Sequence, residues 1–278
     1  MDDPRTSELE TIAAAVLDRL LERPTDAIAL IFLLRRFATT DRDEVRETLG
    51  EALAAALASY QTDSSVAGRA GWLLLFREAA ALTDDERLVA AAGCLASSLR
   101  RDWQSMSSVA DATYSIDACL RAADVVQNGS GGLITAAIDE LERVVGHSYG
   151  PGEGIGGYAD HVRAAAALVT AYEVTGRLPY AMLAEELMQT AKRSAAAERT
   201  FDIDCEAARV YCRLARLHDD REYRAAAILA PNADYRADAS RILAALAPRA
   251  RDEGAALYGL ALSELVSHTI ESPDTYGY

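Results

Sequence analysis

Four residues have the types that proton transfer or glycosidic cleavage requires: Asp160, His161, Asp204 and Glu206. They open two helical patterns, "YADHVRAAAALV" and "FDIDCEAARVYC". Glycoside cleavage needs two carboxyl groups roughly 5 to 10 Å apart, one protonated and one ionised. Epimerisation needs a base and an acid flanking one sugar carbon, and histidine carries protons readily at neutral pH. Tyr114, Asp117, Tyr158, Arg163, Arg209 and Tyr258 lie near the starts or along the faces of comparable helices and could bind a substrate. The competing reading is structural. Asp111, Asp160 and Asp202 could be N-caps, contributing about 1 kcal/mol each, and the tyrosines could pack with their hydroxyls at a wet edge.

Tyr158, Asp160 and His161 follow the densest glycine stretch of the chain, "GHSYGPGEGIGG" from Gly146 to Gly157. Its end, "GEGIGG", satisfies G-x-G-x-x-G, and Glu173 follows near the position of a ribose-binding acid. That motif cradles a dinucleotide only where a strand feeds it inside a βαβ unit. Here the helical pattern "AIDELERVVGH" precedes it, so the reading is of a flexible crossing that delivers the next helix to a pocket rim.

The elements around these residues are helices. Apolar residues recur at i, i+3, i+4 and i+7 in nearly every segment, and no run alternates with period two, which predicts an all-α fold. A first helix is expected over residues 7–21, with Ser7 as N-cap, Glu10 completing a capping box and Pro24 as the stop. Five helix pairs follow at about 25–60, 64–101, 109–145, 156–194 and 201–247, a period of roughly 45 residues. A last helix at 252–268 is expected to pair with 7–21, making one domain of six hairpins over 1–278. First helices such as "AIALIFLL" are the more apolar and should lie inside; second helices such as "DEVRETLGEAL" carry more charge and should lie outside. Inner N-termini would then place several carboxylates, with Asp252 and Glu253 among them, at one rim of a central funnel, where helix dipoles favour them.

Composition narrows the partners. A net charge of −15 and a pI near 4.7 disfavour nucleic acid and anionic membranes. The longest apolar run, residues 27–34, is far short of the roughly 20 residues of a membrane span. The acidic N-terminus "MDDPRTSELE" lacks a secretory pattern, so the expected location is cytoplasmic. Cys94, Cys119, Cys205 and Cys212 sit in apolar patterns without a C-x-x-C pair and should be buried thiols. Cys205 and Cys212 share a helical face, but no histidine has ligand spacing to them, so no metal and no cofactor is expected. Trp72 and Trp103 are the tryptophans a sugar could stack on. His147 and His218 fall in expected turns and should be solvated; His268 ends the last helix.

The run "GGYADHVRAAAALVTAYEVTGRLPYAMLAEELM" resembles a helix pair of the six-hairpin toroids of the YyaL and spermatogenesis-associated type, in which a thioredoxin-like domain precedes the toroid. "CEAARVYCRLARLHDDREYRAAA" with "ADASRILAALAPRARDEGAALYGLALSEL" resembles the closing part of such a toroid. The resemblance covers about Ser64 to His268 and implies an (α/α)6 toroid, in a short version, with a site in its funnel. No thioredoxin-like part or C-x-x-C precedes it, and the "CHG" motif of the related lanthionine cyclases is absent. Sugar hydrolases and sugar 2-epimerases share the fold, so the expectation is a protein that binds or processes a sugar or similar small polar metabolite. The alternatives are an open helical-repeat solenoid that docks a protein partner, and a degenerate toroid without activity.

Overall fold

The computed structural model describes residues 4–22, 25–38, 42–126, 130–193, 198–226 and 232–270. Pro24 and the side chains of Asp252, Glu253 and His268 lie outside the described residues. The fold is all-α apart from one two-strand hairpin. Helix α1 spans Pro4–Glu22, so it begins one turn before the expected start. Proline is at home in a first turn, and Ser7 lies inside the helix, its carbonyl accepting from Thr11 Oγ1 at 3.0 Å.

Most later helices begin where a short polar side chain takes up a free backbone N–H. Asp26 caps α2 (Ala27–Phe37), Ser65 caps α4 (Val66–Ala80) and Asp85 caps α5 (Glu86–Asp102). Ser108 caps α6 (Val109–Arg121), Thr200 caps α10 (Phe201–Asp219) and Asp234 caps α12 (Tyr235–Leu246). Asp111 and Asp202, expected as caps, sit instead in the first turns of α6 and α10. The remaining helices are α3 (Asp43–Ser59), α7 (Ser130–Ser148), α8 (Tyr158–Thr175), α9 (Leu178–Ala191), α11 (Arg221–Ala226), α13 (Ala250–Glu253) and α14 (Ala255–Ile270). The last expected helix is thus two, parted at Gly254.

Two layers follow from which helix touches which. Helices α2, α4, α6, α8, α10 and α14 pack each on the next, and α14 packs on α2. Against their backs lie α3, α5, α7, α9, α12 and α1, the last touching both α14 and α2. The apolar first helices therefore face one another, as their composition predicts. Cross-helix pairs advance together along α6, α8 and α10, Asp111 with Arg163 and then Asp117 with Thr170, Arg163 with Glu206 and then Arg213 with Glu173. These three helices therefore run parallel. Nearly all the buried apolar side chains among the described residues form one cluster that reaches all of the long helices, and Ala181 with Tyr223 makes a small second one. No helix among the described residues is long and apolar enough to cross a membrane.

The contact between α14 and α2 depends on Gly259. A Cβ there would stand 2.7 Å from the Phe32 ring and 3.1 Å from Ile12 Cγ2, and Phe32 is fully buried. Gly259→Val should therefore destabilise the protein by about 2 kcal/mol and lower Tm by about 5 °C. Calorimetry checks it; an unchanged Tm would show that α14 does not bear on α2 through this position.

Candidate functional site

Between the inner helices lies a cavity of about 740 Å³, within the usual range for small-molecule sites. Helix α10 shows how the sequence builds it. Glu206, Arg209, Val210, Arg213 and Arg216 recur every three or four residues, and all of them line the cavity. Such spacing gathers them on one helical face. From α6 come Tyr114, Asp117 and Arg121, and from α8 Arg163, Thr170 and Glu173. Arg35 on α2 and Arg77 and Glu78 on α4 complete the charged wall, with Ile28, Ile31, Leu257 and Leu260 supplying apolar surface.

Charged groups in such a space are costly unless paired, and here most of them pair, largely across the helix boundaries. Arg35 joins α2 to Glu78 on α4, and Arg77 Nη2 reaches Asp124, just past α6, at 2.9 Å. Thr170 on α8 donates to Asp117 on α6, which also accepts from Arg121 Nε at 2.8 Å. Glu206 on α10 takes Arg163 Nε at 2.9 Å and Nη2 at 3.1 Å, and Glu173 on α8 takes Arg213 Nη2 at 2.6 Å. Arg209 Nη2 lies 2.8 Å from Glu264 on α14, and Arg35 Nη1 lies 3.6 Å from the same carboxylate. Burial alone would raise the carboxyls of Asp117, Glu264 and Glu78; the facing guanidinium groups outweigh it and hold all three below the usual carboxylate range.

Five of the ten expected site residues meet at this cavity: Tyr114, Asp117, Arg163, Glu206 and Arg209. The other five are engaged elsewhere. Asp160 accepts from Gly157 N with one oxygen and from Ala110 N with the other, each at 2.9 Å, so it ties the start of α8 to the start of α6. His161 is buried, its Nδ1 on Gly157 O at 2.7 Å and its Nε2 on Ile155 N at 3.1 Å. With Nε2 accepting from the Ile155 N–H, Nδ1 is left to donate to the Gly157 carbonyl. Asp204 accepts from Tyr158 and Arg199, and Tyr258 donates to Glu8.

The glycine run is better ordered than a flexible crossing. Strand β1 (Tyr149–Gly150) pairs antiparallel with β2 (Gly154–Ile155). Gly152, Gly154 and Gly156 have φ of 81°, 74° and 54°, the left-handed region that glycine occupies without strain. His161 presses on Gly154 and Asp160 on Gly156 so closely that a Cβ would collide with either. No residue of this run lines the central cavity; its role is to anchor α8.

Other expectations are also revised. Trp72 and Trp103 are buried, and the Trp103 indole donates to Ser115 Oγ at 2.7 Å, so neither offers a face to the cavity. Tyr114 does line it, but the Arg163 guanidinium covers its ring at 4.7 Å; burial pushes its hydroxyl up to about 12, so it stays protonated. His218 is buried, with Nε2 on Glu185 at 2.6 Å, and Tyr223 joins that carboxylate at 2.8 Å. Cys94 is exposed, whereas Cys119, Cys205 and Cys212 are buried and free. Among the described residues no group of three histidine, cysteine or acidic side chains could hold a metal ion.

Sequence reasoning missed Arg35, Arg77, Glu78, Arg121, Glu173, Arg213 and Arg216. A usable signal existed: charged residues in the middle or last turns of otherwise apolar inner helices, as in "LLLFRE" and "RVYCRLAR". No protein-family model matches the chain, and no curated protein sequence matches it.

Two outcomes follow. A carboxylate held low when folded stabilises the native state above its unfolded value and loses that contribution as pH falls through its folded value. Urea unfolding should therefore show stability falling below pH 3.8, the ordinary aspartate value. Asp117→Asn should cost about 3 kcal/mol at neutral pH and flatten that slope; an unaltered slope would contradict the pairing. His161→Ala should lower stability by about 2 kcal/mol and speed proteolysis within residues 149–155; equal cleavage rates would show that the hairpin does not depend on it.

Proposed function

We propose that this chain is a six-hairpin toroid whose central cavity binds a small polar metabolite, sugar-like in size and polarity. The cavity of about 740 Å³, walled by paired charges from the inner helices, carries this reading. The return of the packing from α14 to α2 supports a ring over an open solenoid, and the resemblance of residues 64–268 to six-hairpin toroids points the same way.

Binding has more support than acid–base catalysis. Of the four residues with the right types for proton transfer, Asp160, His161 and Asp204 lie off the cavity and have partners. Glu206 is at the cavity but has both oxygens on Arg163. Carboxylates paired with guanidinium groups are poor general acids, since the pairing favours the ionised form. A docking surface for a protein has less support: the exposed large apolar residues among those described, Leu21, Leu82 and Val174, sit on separate elements and make no contiguous patch of the kind a partner covers.

The test is a thermal-shift screen of monosaccharides, disaccharides, sugar acids and sugar phosphates. A ligand at a hundred times its Kd stabilises by about 2.7 kcal/mol, so the wild type should shift by several degrees. Glu206→Ala should lose the shift and Asp160→Ala should keep it. If no compound stabilises the wild type, or if both variants respond as it does, the cavity is not the site.

A further inference from the structure

The wall of the central cavity is richer in cations than the molecule around it. Among the described residues that line it, seven are arginines and five are aspartates or glutamates, in a protein of net charge −15. The donors left over matter more than the sum, because a guanidinium has five N–H groups. Arg121 spends Nε on Asp117, and its two Nη groups have no hydrogen-bond partner among the described residues. Arg209 gives Nε and Nη2 to Glu264 and keeps Nη1. Arg216 lines the cavity, is exposed and pairs with no carboxylate among the described residues. Tyr114 lines it too, and its hydroxyl carries no hydrogen bond among the described residues.

Arg121 lies among charges contributed by several helices. It feels the carboxylates of Asp117, Glu264 and Glu173 and the like charges of Arg209 and Arg213, which belong to four different helices. Burial, and next to it the Arg121 charge, pull the Arg213 guanidinium below the ordinary arginine value. Arg213 itself is filled, with Glu173, Thr170 and the Ala166 carbonyl as acceptors. The helix C-termini near Arg121 and Arg216 offset part of the positive charge but supply no hydrogen-bond acceptor to the free Nη groups. Guanidinium forks match the paired oxygens of carboxylate and phosphate.

Resting on the reading of the cavity as a small-metabolite site, we infer that its ligand is an anion, a carboxylate or phosphate ester, gripped by the free donors of Arg121, Arg209 and Arg216 with the Tyr114 hydroxyl as a further donor. Asp117 holds the Arg121 guanidinium and Glu264 that of Arg209, leaving their remaining donors for the ligand oxygens, while Arg216 contributes an unpaired charge at the cavity wall.

Calorimetric titration of the full chain with glucose, glucuronate, glucose 6-phosphate, citrate and inorganic phosphate tests this, with Arg121→Gln and Arg216→Gln beside the wild type. Glucuronate, citrate or the phosphates should bind and glucose should not, and added salt should weaken binding by screening. Which anions bind separates a carboxylate site from a phosphate site. Arg121→Gln should weaken the bound anion by at least about tenfold, the scale of a lost charge-assisted hydrogen bond. Arg216 has no ion pair to lose, so Arg216→Gln should keep the wild-type Tm while weakening binding severalfold; it decides the matter should Arg121→Gln fail to fold. Glucose binding as well as the anions, with both variants unaffected, would overturn the anion site and leave the polar-metabolite reading standing. No binding by any of the five probes would overturn the anion site, and with no response in the wider sugar screen the cavity reading falls as well.

Discussion

The arginine–carboxylate contacts between neighbouring inner helices are the constraint from which the rest of the structure takes its shape. Contacts of this kind, or the Thr170–Asp117 hydrogen bond, join α2 to α4, α4 to the turn after α6, α6 to α8, α8 to α10, α10 to α14 and α14 to α2. Helices α4, α6, α8 and α10 therefore each turn two or more charged residues toward the cavity, while α2 and α14 face it mainly with apolar side chains. An uncompensated charge there would cost several kcal/mol, which sets the register of each helix against the next. Apolar packing alone specifies register weakly, because ridges and grooves repeat every few residues.

Arginine suits this position in a way lysine does not. The planar fork can hold a carboxylate on a neighbouring helix with two N–H groups and still present others inward. Arg163, Arg209 and Arg213 each hold one carboxylate through two nitrogens. The one lysine, Lys192, lies off the cavity, paired with Asp238 and set over the rings of Tyr211 and Tyr235. The chain's positive side-chain charge is almost all arginine, and that bias has a structural use here.

Around the cavity, smaller devices hold the helix ends and the outer layer. Asp160 and His161 spend their side chains on backbone N–H and carbonyl groups at the start of α8, where a tight glycine hairpin replaces a simple cap. Glu185 on α9 gathers His218 from α10 and Tyr223 from α11, so a wholly buried carboxylate binds three helices together. Polar residues that look like chemistry in the sequence are here the means by which backbone and buried groups are satisfied.

The sequence by itself determined that the chain is all-α and roughly where its long helices fall, because the 3.6-residue periodicity and the polar turns are local and survive any arrangement of the pieces. The inside of each pair was legible too, since "AIALIFLL" or "AAAALVTAY" has no other place to bury its surface. Tyr114, Asp117, Arg163, Glu206 and Arg209 reach the cavity because they lie on those inner helices. Arg121, Arg213 and Arg216 were missed because in the sequence they read as ordinary charges of amphipathic helices. Only the tertiary structure decided which charges turn inward, since Arg163 meets Glu206 forty-three residues away and Arg209 meets Glu264 fifty-five away. Pairing over such distances is set by how whole helices pack, and no local pattern of residues carries it.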